Sequence, residues 1–318
     1  MERVSKLMLY DLLVVVGSVL TLFLIMAVGY VLGKKKLLAR ETLSQMSTVL
    51  LYVVAPALMI DTFLAQERTA DTIRSLLIAA AALAGTYALN ALLIQPCFRR
   101  ASADDRGVLR FASIYGNTGF MGIPLIQAVL GQSGMLPAVM CLVVFNTFIW
   151  AHGSRIMGGG GSLKKILINP GVVGLVLAVL CFALPTGLPS PVASAVGFIG
   201  DLNTPLAMII IGAQMAEVDL PSLFREGRLY LISAVKLIAI PLVTMLVLLP
   251  FRLDPTMYIA IAILAACPVA GSTSLFCQIN GKDTSLSARL VSLSTLLSIV
   301  TLPLAATAAR LLSGLIPT

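Results

Sequence analysis

Ten apolar runs of roughly 20 residues, joined by short links, occupy most of the chain: 11–33, 41–65, 72–97, 108–131, 135–157, 166–185, 191–216, 228–251, 256–279 and 286–312. A run of about 20 apolar residues is long enough to cross the hydrocarbon core of a bilayer as a helix. Only 11% of the 318 residues are charged, against about 25% in a soluble domain. Lipid is therefore the solvent for most side chains, and the bilayer is the first partner implied. The net charge of +8 does not point to nucleic acid, because the basic residues gather in the links between runs.

Those basic residues also set an orientation. The links after the first, third, fifth, seventh and ninth runs, with their flanks, carry 15 Lys and Arg, and the opposite side carries 6. By the positive-inside rule the odd links are cytoplasmic and both termini extracytoplasmic, in a multi-pass protein of the inner (plasma) membrane. The first run is too long for the apolar region of a signal peptide and lacks a small-residue cleavage site. The tract 158–165, GGGGSLKK, divides the chain into 1–157 with spans one to five and 166–318 with spans six to ten. An odd number of spans per half makes the halves inverted relative to each other. The expected fold is an all-α membrane protein of ten transmembrane helices, built as two inverted five-helix repeats.

Two spans are built to break. The fourth contains Gly116, Gly119 and Gly122 at every third residue, followed by Pro124. Gly costs about 1 kcal/mol against Ala inside a helix and Pro about 3; Pro124 also removes an N–H and frees the carbonyl of Phe120. The ninth span breaks at ACPVAGSTS around Pro268. Irregular backbone at membrane depth is tolerated only where protein covers it or water fills a cavity. The second and seventh spans also match, with Pro56 in APALMIDTFLAQ and Pro205 in TPLAMIIIGAQM. Interrupted spans at corresponding places in two halves point to the binding site of a transporter.

GNTGFMGIPL at 116–125, NPGVVG at 169–174, STLLSIVTLP at 294–303 and the short-linked five-plus-five layout resemble the auxin efflux carrier family over essentially the whole chain. Its most specific strings run from Asn117 to Pro124 and from Thr295 to Pro303, and the short central link is like that of bacterial members. The resemblance implies the fold of bile-acid sodium symporters. Spans one, two, six and seven would form a scaffold. Spans three to five and eight to ten would form a mobile transport domain whose broken helices, in spans four and nine, cross. It also implies that a small organic anion is moved, auxin-like or a dicarboxylate.

The polar residues near the breaks are the candidate substrate-binding groups. Asn117 and Thr118 lie inside the first break, where helix N-termini favour a carboxylate; Asn117 either donates to substrate or caps the broken helix. Ser272, Thr273 and Ser274 follow Pro268 and either meet ligand oxygens or bond back to their own helix. Pro124 and Pro268 shape the site. Lys236 is the basic residue well inside a span; it either neutralises an anionic substrate or snorkels to the surface. Asn90 and Asn146 either line the cavity or hold helices together. Asp201, beside Asn203, is the candidate for coupling to H⁺ or Na⁺, with an aqueous-facing turn as the plainer role. Asp61 reads as interfacial.

Other chemistry is poorly supplied. Five scattered Cys form neither a disulfide framework nor a metal site, and the sole histidine, His152, cannot make HExxH. The glycine tract 158–161 lacks the setting of a phosphate loop. No enzyme and no cofactor is expected. The leading reading is a secondary active transporter working by alternating access; a channel or membrane sensor on the same fold is the alternative. A homodimer is compatible with either.

Overall fold

A computed structural model of the chain describes residues 2–160, 164, 168–184, 187–219, 223–224 and 226–314. Of the linker 158–165, residues 161–163 and 165 lie outside the described residues, as does Arg225 of the seventh link. The described residues are predominantly helical and contain no strand beyond one isolated bridge. Among them, seven helical stretches are long and apolar enough to cross a membrane, and two shorter apolar helices, Pro170–Ala183 and Pro255–Ala266, accompany them.

In chain order the helices are α1 (Glu2–Lys34), α2 (Arg40–Val49), α3 (Ala55–Leu64), α4 (Ala70–Ile94), α5 (Ala103–Ile114), α6 (Ile123–Leu130) and α7 (Met135–Phe148). There follow α8 (Pro170–Ala183), α9 (Ser190–Asp201), α10 (Asn203–Met215), α11 (Gly227–Ala234), α12 (Ile240–Leu248), α13 (Pro255–Ala266), α14 (Ser272–Ile279) and α15 (Ser285–Ser313). Several starts carry the expected caps: Thr69, Ser102, Asn169 and Asp254 each accept a backbone N–H from the first turn, which satisfies one of the donors a helix start leaves unpaired.

Prolines shape the long helices in a repeated way. Wide π-helical turns at Leu50–Val54, Thr118–Gly122 and Val235–Ala239 each end two residues before a proline: Pro56, Pro124 and Pro241. A proline cannot donate to the carbonyl four residues back, and a π turn lets the helix absorb that gap without stopping.

Two sets of helices pack closely. α1 lies along α10 at backbone contact, and α8 and α9 pack on α3. Gly29 faces the Ile209 backbone, and Gly212 faces the backbone of Met26 and Tyr30; small residues let helices approach this closely in lipid. In the second set, α13 packs on α15, α12, α6 and α7, and α4 packs on α7. The third, seventh and ninth links meet at one end, where Arg228 pairs with Asp105 at 2.8 Å, Arg289 with Glu226 at 2.6 Å and Lys282 with Asp104 at 3.2 Å. Gly159 of the fifth link lies against Asn280 at the same end. Arg310 instead donates to the Val129 carbonyl at the C-terminus of α6.

The α1–α10 contact makes a test of opposite signs. Gly212→Ala forces a methyl into the α1 backbone and is expected to cost about 1–3 kcal/mol, read as a lower thermal midpoint of the purified chain. Gly17→Ala, where a Cβ meets nothing within 4 Å, should hold or raise the midpoint, because Ala is the better helix residue. Equal effects of the two would contradict this packing.

Candidate functional site

The breaks foreseen in the fourth and ninth spans are present, and they lie against each other. α5 stops at Ile114, and the chain leaves the helix at Tyr115 and Gly116 before turning at Asn117; α13 stops at Ala266, and residues 267–270 are non-helical before α14 begins. Gly116 and Val269 form an antiparallel bridge. The Asn117 N–H donates to the Pro268 carbonyl at 2.7 Å, and the Ala270 N–H donates to the Tyr115 carbonyl at 3.0 Å. In unbroken helices these two N–H groups would have bonded Ser113 and Ala266. Each break thus supplies what the other lost.

The remaining freed groups have partners from farther away. The Val269 N–H donates to Ser294 Oγ on α15 at 3.0 Å. The Ala265 carbonyl, which Val269 would otherwise have satisfied, accepts from Lys236 Nζ at 2.7 Å. The Asn117 backbone, at φ −76° and ψ 60°, makes a tight γ turn closed by Thr118 N–H to the Gly116 carbonyl at 2.8 Å,. Asn117 O then accepts from the N–H groups of both Met121 and Gly122, which starts the π turn.

Gly116 and Gly122 are required by proximity. A Cβ at Gly116 would stand 2.9 Å from Lys236 Nζ and 3.0 Å from the Cys267 carbonyl; at Gly122 it would stand 2.7 Å from a Leu264 methyl and 3.1 Å from Cys267 Sγ. Pro124 is buried at the start of α6 and Pro268 is buried in the second break.

The sequence-chosen residues divide into three groups. Asn117 sits in the first break, half-buried, and its side chain makes no capping bond to the following turn. Thr118 is buried, and its Oγ1 has no hydrogen-bond partner. On the second break, Ser272 Oγ and Thr273 Oγ1 are buried with no hydrogen-bond partner, whereas Ser274 Oγ lies 2.9 Å from Ser287 Oγ.

Lys236 and Asn90 form the second group. With Thr86, Tyr87, Gly116 and Cys141, among others, they line a cavity of about 20 Å³ directly behind the bridge. Lys236 is 1% exposed and does not snorkel. Asn90 Oδ1 is buried without a partner.

The third group lies away from the breaks. Asn146 donates to Leu142 O of its own helix at 2.7 Å and packs against Gly171 at the start of α8. Asp201 is exposed at the end of α9, where Leu202 separates α9 from α10; Asn203 beside it is buried with Nδ2 unpartnered. Asp61 is half-buried and faces Gly197 of α9.

Some of the site was not foreseen. Tyr115 is fully buried, stacks near Tyr87 and Phe111, donates its hydroxyl to the Phe148 carbonyl and lies 2.9 Å from His152 Nδ1. α7 and the π turn Ile149–Gly153 that follows it provide this anchor. Ser294 lies in a string noted only for its resemblance, and nothing local marks it as the acceptor for an N–H 25 residues earlier. Among the described residues no group of three or more His, Cys, Asp or Glu is arranged to hold a metal ion.

Known proteins can now be set beside this geometry. The model of the family described as "Membrane transport protein" matches residues 14–162 and again 159–306, one stretch for each half of the chain. A transporter of Methanothermobacter thermautotrophicus without assigned substrate is 24% identical over 296 residues, covering 90% of this chain and 96% of that one. A Rhizobium meliloti protein named "Putative malonate transporter" is 24% identical over 306 residues, with coverage of 90% and 93%. A transporter of Methanocaldococcus jannaschii is 28% identical over 120 residues, 35% of this chain and 39% of that one. The resemblance carried by Asn117–Pro124 and Thr295–Pro303 is thereby borne out, and the apolar helices are those of a multi-pass membrane protein. The chain belongs to the membrane transport protein family, the group that includes the auxin efflux carriers; it is a membrane transporter and not an enzyme.

Proposed function

We propose that the chain is a secondary active transporter that moves small organic anions, carboxylates foremost, by alternating access at the paired breaks. The observation that carries this reading is Asn117. Its backbone is fully committed to the break, yet its side-chain amide is not used to cap the turn it begins. An amide held at the start of a helix can donate to a carboxylate where the helix dipole also favours negative charge, and the second break, bonded to Asn117 through Pro268, leads into a helix whose Ser272 and Thr273 hydroxyls are unpartnered. Thr118, Pro124 and Pro268 fix the shape of that position. Asn90 and Lys236 border it from behind, and the buried ammonium makes the region positive without touching solvent. Asn146 acts between α7 and α8 rather than at the anion, and Asp201 remains the candidate for ion coupling at the α9–α10 joint.

The two-body layout has support in the packing. α1 packs on α10, α3 packs on α8 and α9, and α4–α7 with α11–α15 gather around the breaks, while α1 also meets α6 and α15 and α8 meets α7; a scaffold of spans one, two, six and seven would slide along those last contacts. Ten spans in two inverted repeats fit the family match in each half, and the meeting of the third, fifth, seventh and ninth links at one end fits a cytoplasmic face there. On that orientation both termini are outside, and an impermeant label should reach tags on each in intact cells; protection of either would overturn the orientation.

The name of the Rhizobium relative makes malonate a sensible first substrate to offer. In proteoliposomes, Asn117→Ala is expected to cut uptake of a small dicarboxylate by about tenfold or more, the loss of one charge-assisted hydrogen bond of about 1.4 kcal/mol, while the variant elutes as a folded species. Near-normal uptake by Asn117→Ala would remove the paired breaks as the site.

A further inference from the structure

Lys236 raises a separate question, because its surroundings are those of a cation rather than of a substrate. It sits in the π turn Val235–Ala239, is 1% exposed, and has no carboxylate within ion-pair distance among the described residues. Its ammonium is aimed at the end of α13, donating to the Ala265 carbonyl at 2.7 Å. It also lies beside Gly116 close to the Cys267 carbonyl, since a Cβ on Gly116 would be 2.9 Å from Nζ and 3.0 Å from that oxygen. A helix C-terminus carries partial negative charge and is stabilised by a cation. Carbonyls freed where a membrane helix unwinds are the groups that coordinate Na⁺ in transporters with broken helices.

The space beside the ammonium is too small for a carboxylate. The cavity measures about 20 Å³, room for a single water. Two oxygens mark it: the Ala265 carbonyl, which takes the ammonium, and Asn90 Oδ1, which is buried with no partner; the Thr86 hydroxyl is turned back to donate to Ala82 O of its own helix. A freed carbonyl at a helix C-terminus and an amide oxygen with no partner suit a positive charge,.

We infer that the Lys236 ammonium is the resident cation of the paired breaks, filling from within the chain the monovalent-cation position that their freed carbonyls and Asn90 create. It follows that the breaks need no Na⁺ to be assembled, and that the anion bound in front of them meets a counter-charge built into the chain. This deepens the transporter reading and rests on it for that second consequence, but the charge and its seat can be tested without any substrate.

The test is the thermal midpoint of the purified full-length chain at constant ionic strength, with choline chloride replaced stepwise by NaCl. The wild-type midpoint should not respond. Lys236→Ala should lower it by about 5 °C or more in choline, and Na⁺ or ethylammonium, each small enough for the enlarged cavity, should restore it saturably while choline does not. Lys236→Gln keeps a donor for the Ala265 carbonyl without the charge and should fall between the two. A saturable Na⁺ response of the wild type, a Gln variant as stable as wild type, or an Ala variant that no small cation restores would each overturn the inference. None of these outcomes bears on whether Asn117 receives the anion, so the two proposals fail separately.

Discussion

Two backbone hydrogen bonds, Asn117 to Pro268 and Ala270 to Tyr115, are the interaction on which the rest of the structure depends. In hydrocarbon a helix cannot simply stop, because every N–H and carbonyl released costs several kcal/mol if left bare. A single break would need water or side chains to cover it. Two breaks set antiparallel cover much of each other, and the bridge at Gly116 and Val269 is the shortest sheet that does so. The glycine at 116 follows from the same geometry, since the approach of the second break and of Lys236 leaves no room for a Cβ.

What the bridge does not cover is covered by side chains from other helices. Ser294 from α15 takes the Val269 N–H, and Lys236 from the π turn before α12 takes the Ala265 carbonyl. Tyr115, whose carbonyl belongs to the bridge, is fixed through its hydroxyl to the α7 segment at Phe148 and His152. Elements from both halves of the chain therefore meet at one point, and a shift of any one is felt at the bridge. On the proposed function, the region that would meet the anion is also the one that ties the helices together.

Much of this was legible in the sequence, and the legible part is the part set locally. The apolar runs mark the helices because membrane depth fixes their length. Glycines and prolines mark the breaks because each has a local backbone cost, and the π turns before Pro56, Pro124 and Pro241 follow from the missing N–H. Asn117 was identifiable because it lies within the break itself. Tertiary pairing was not legible. Lys236 could be read as snorkelling or as a ligand for the anion, and neither reading contained the Ala265 carbonyl 29 residues later. His152 has no neighbour in sequence that would link it to Tyr115, 37 residues earlier. Asn146 looked equivalent to Asn90, but one faces α8 and the other the cavity behind the bridge, a difference set by helix rotation and neighbours rather than by composition.

The account has one centre, an anion held in front of two paired helix breaks, and one measurement reaches it directly. An experimental structure of the chain in a lipid nanodisc, solved with and without a saturating small dicarboxylate, should show residues 115–117 and 267–270 non-helical and bonded to each other in both states. It should also show ligand density within hydrogen-bond reach of the Asn117 amide and the start of α14. Continuous helix through either segment, or a carboxylate bound elsewhere with the breaks vacant, would contradict it.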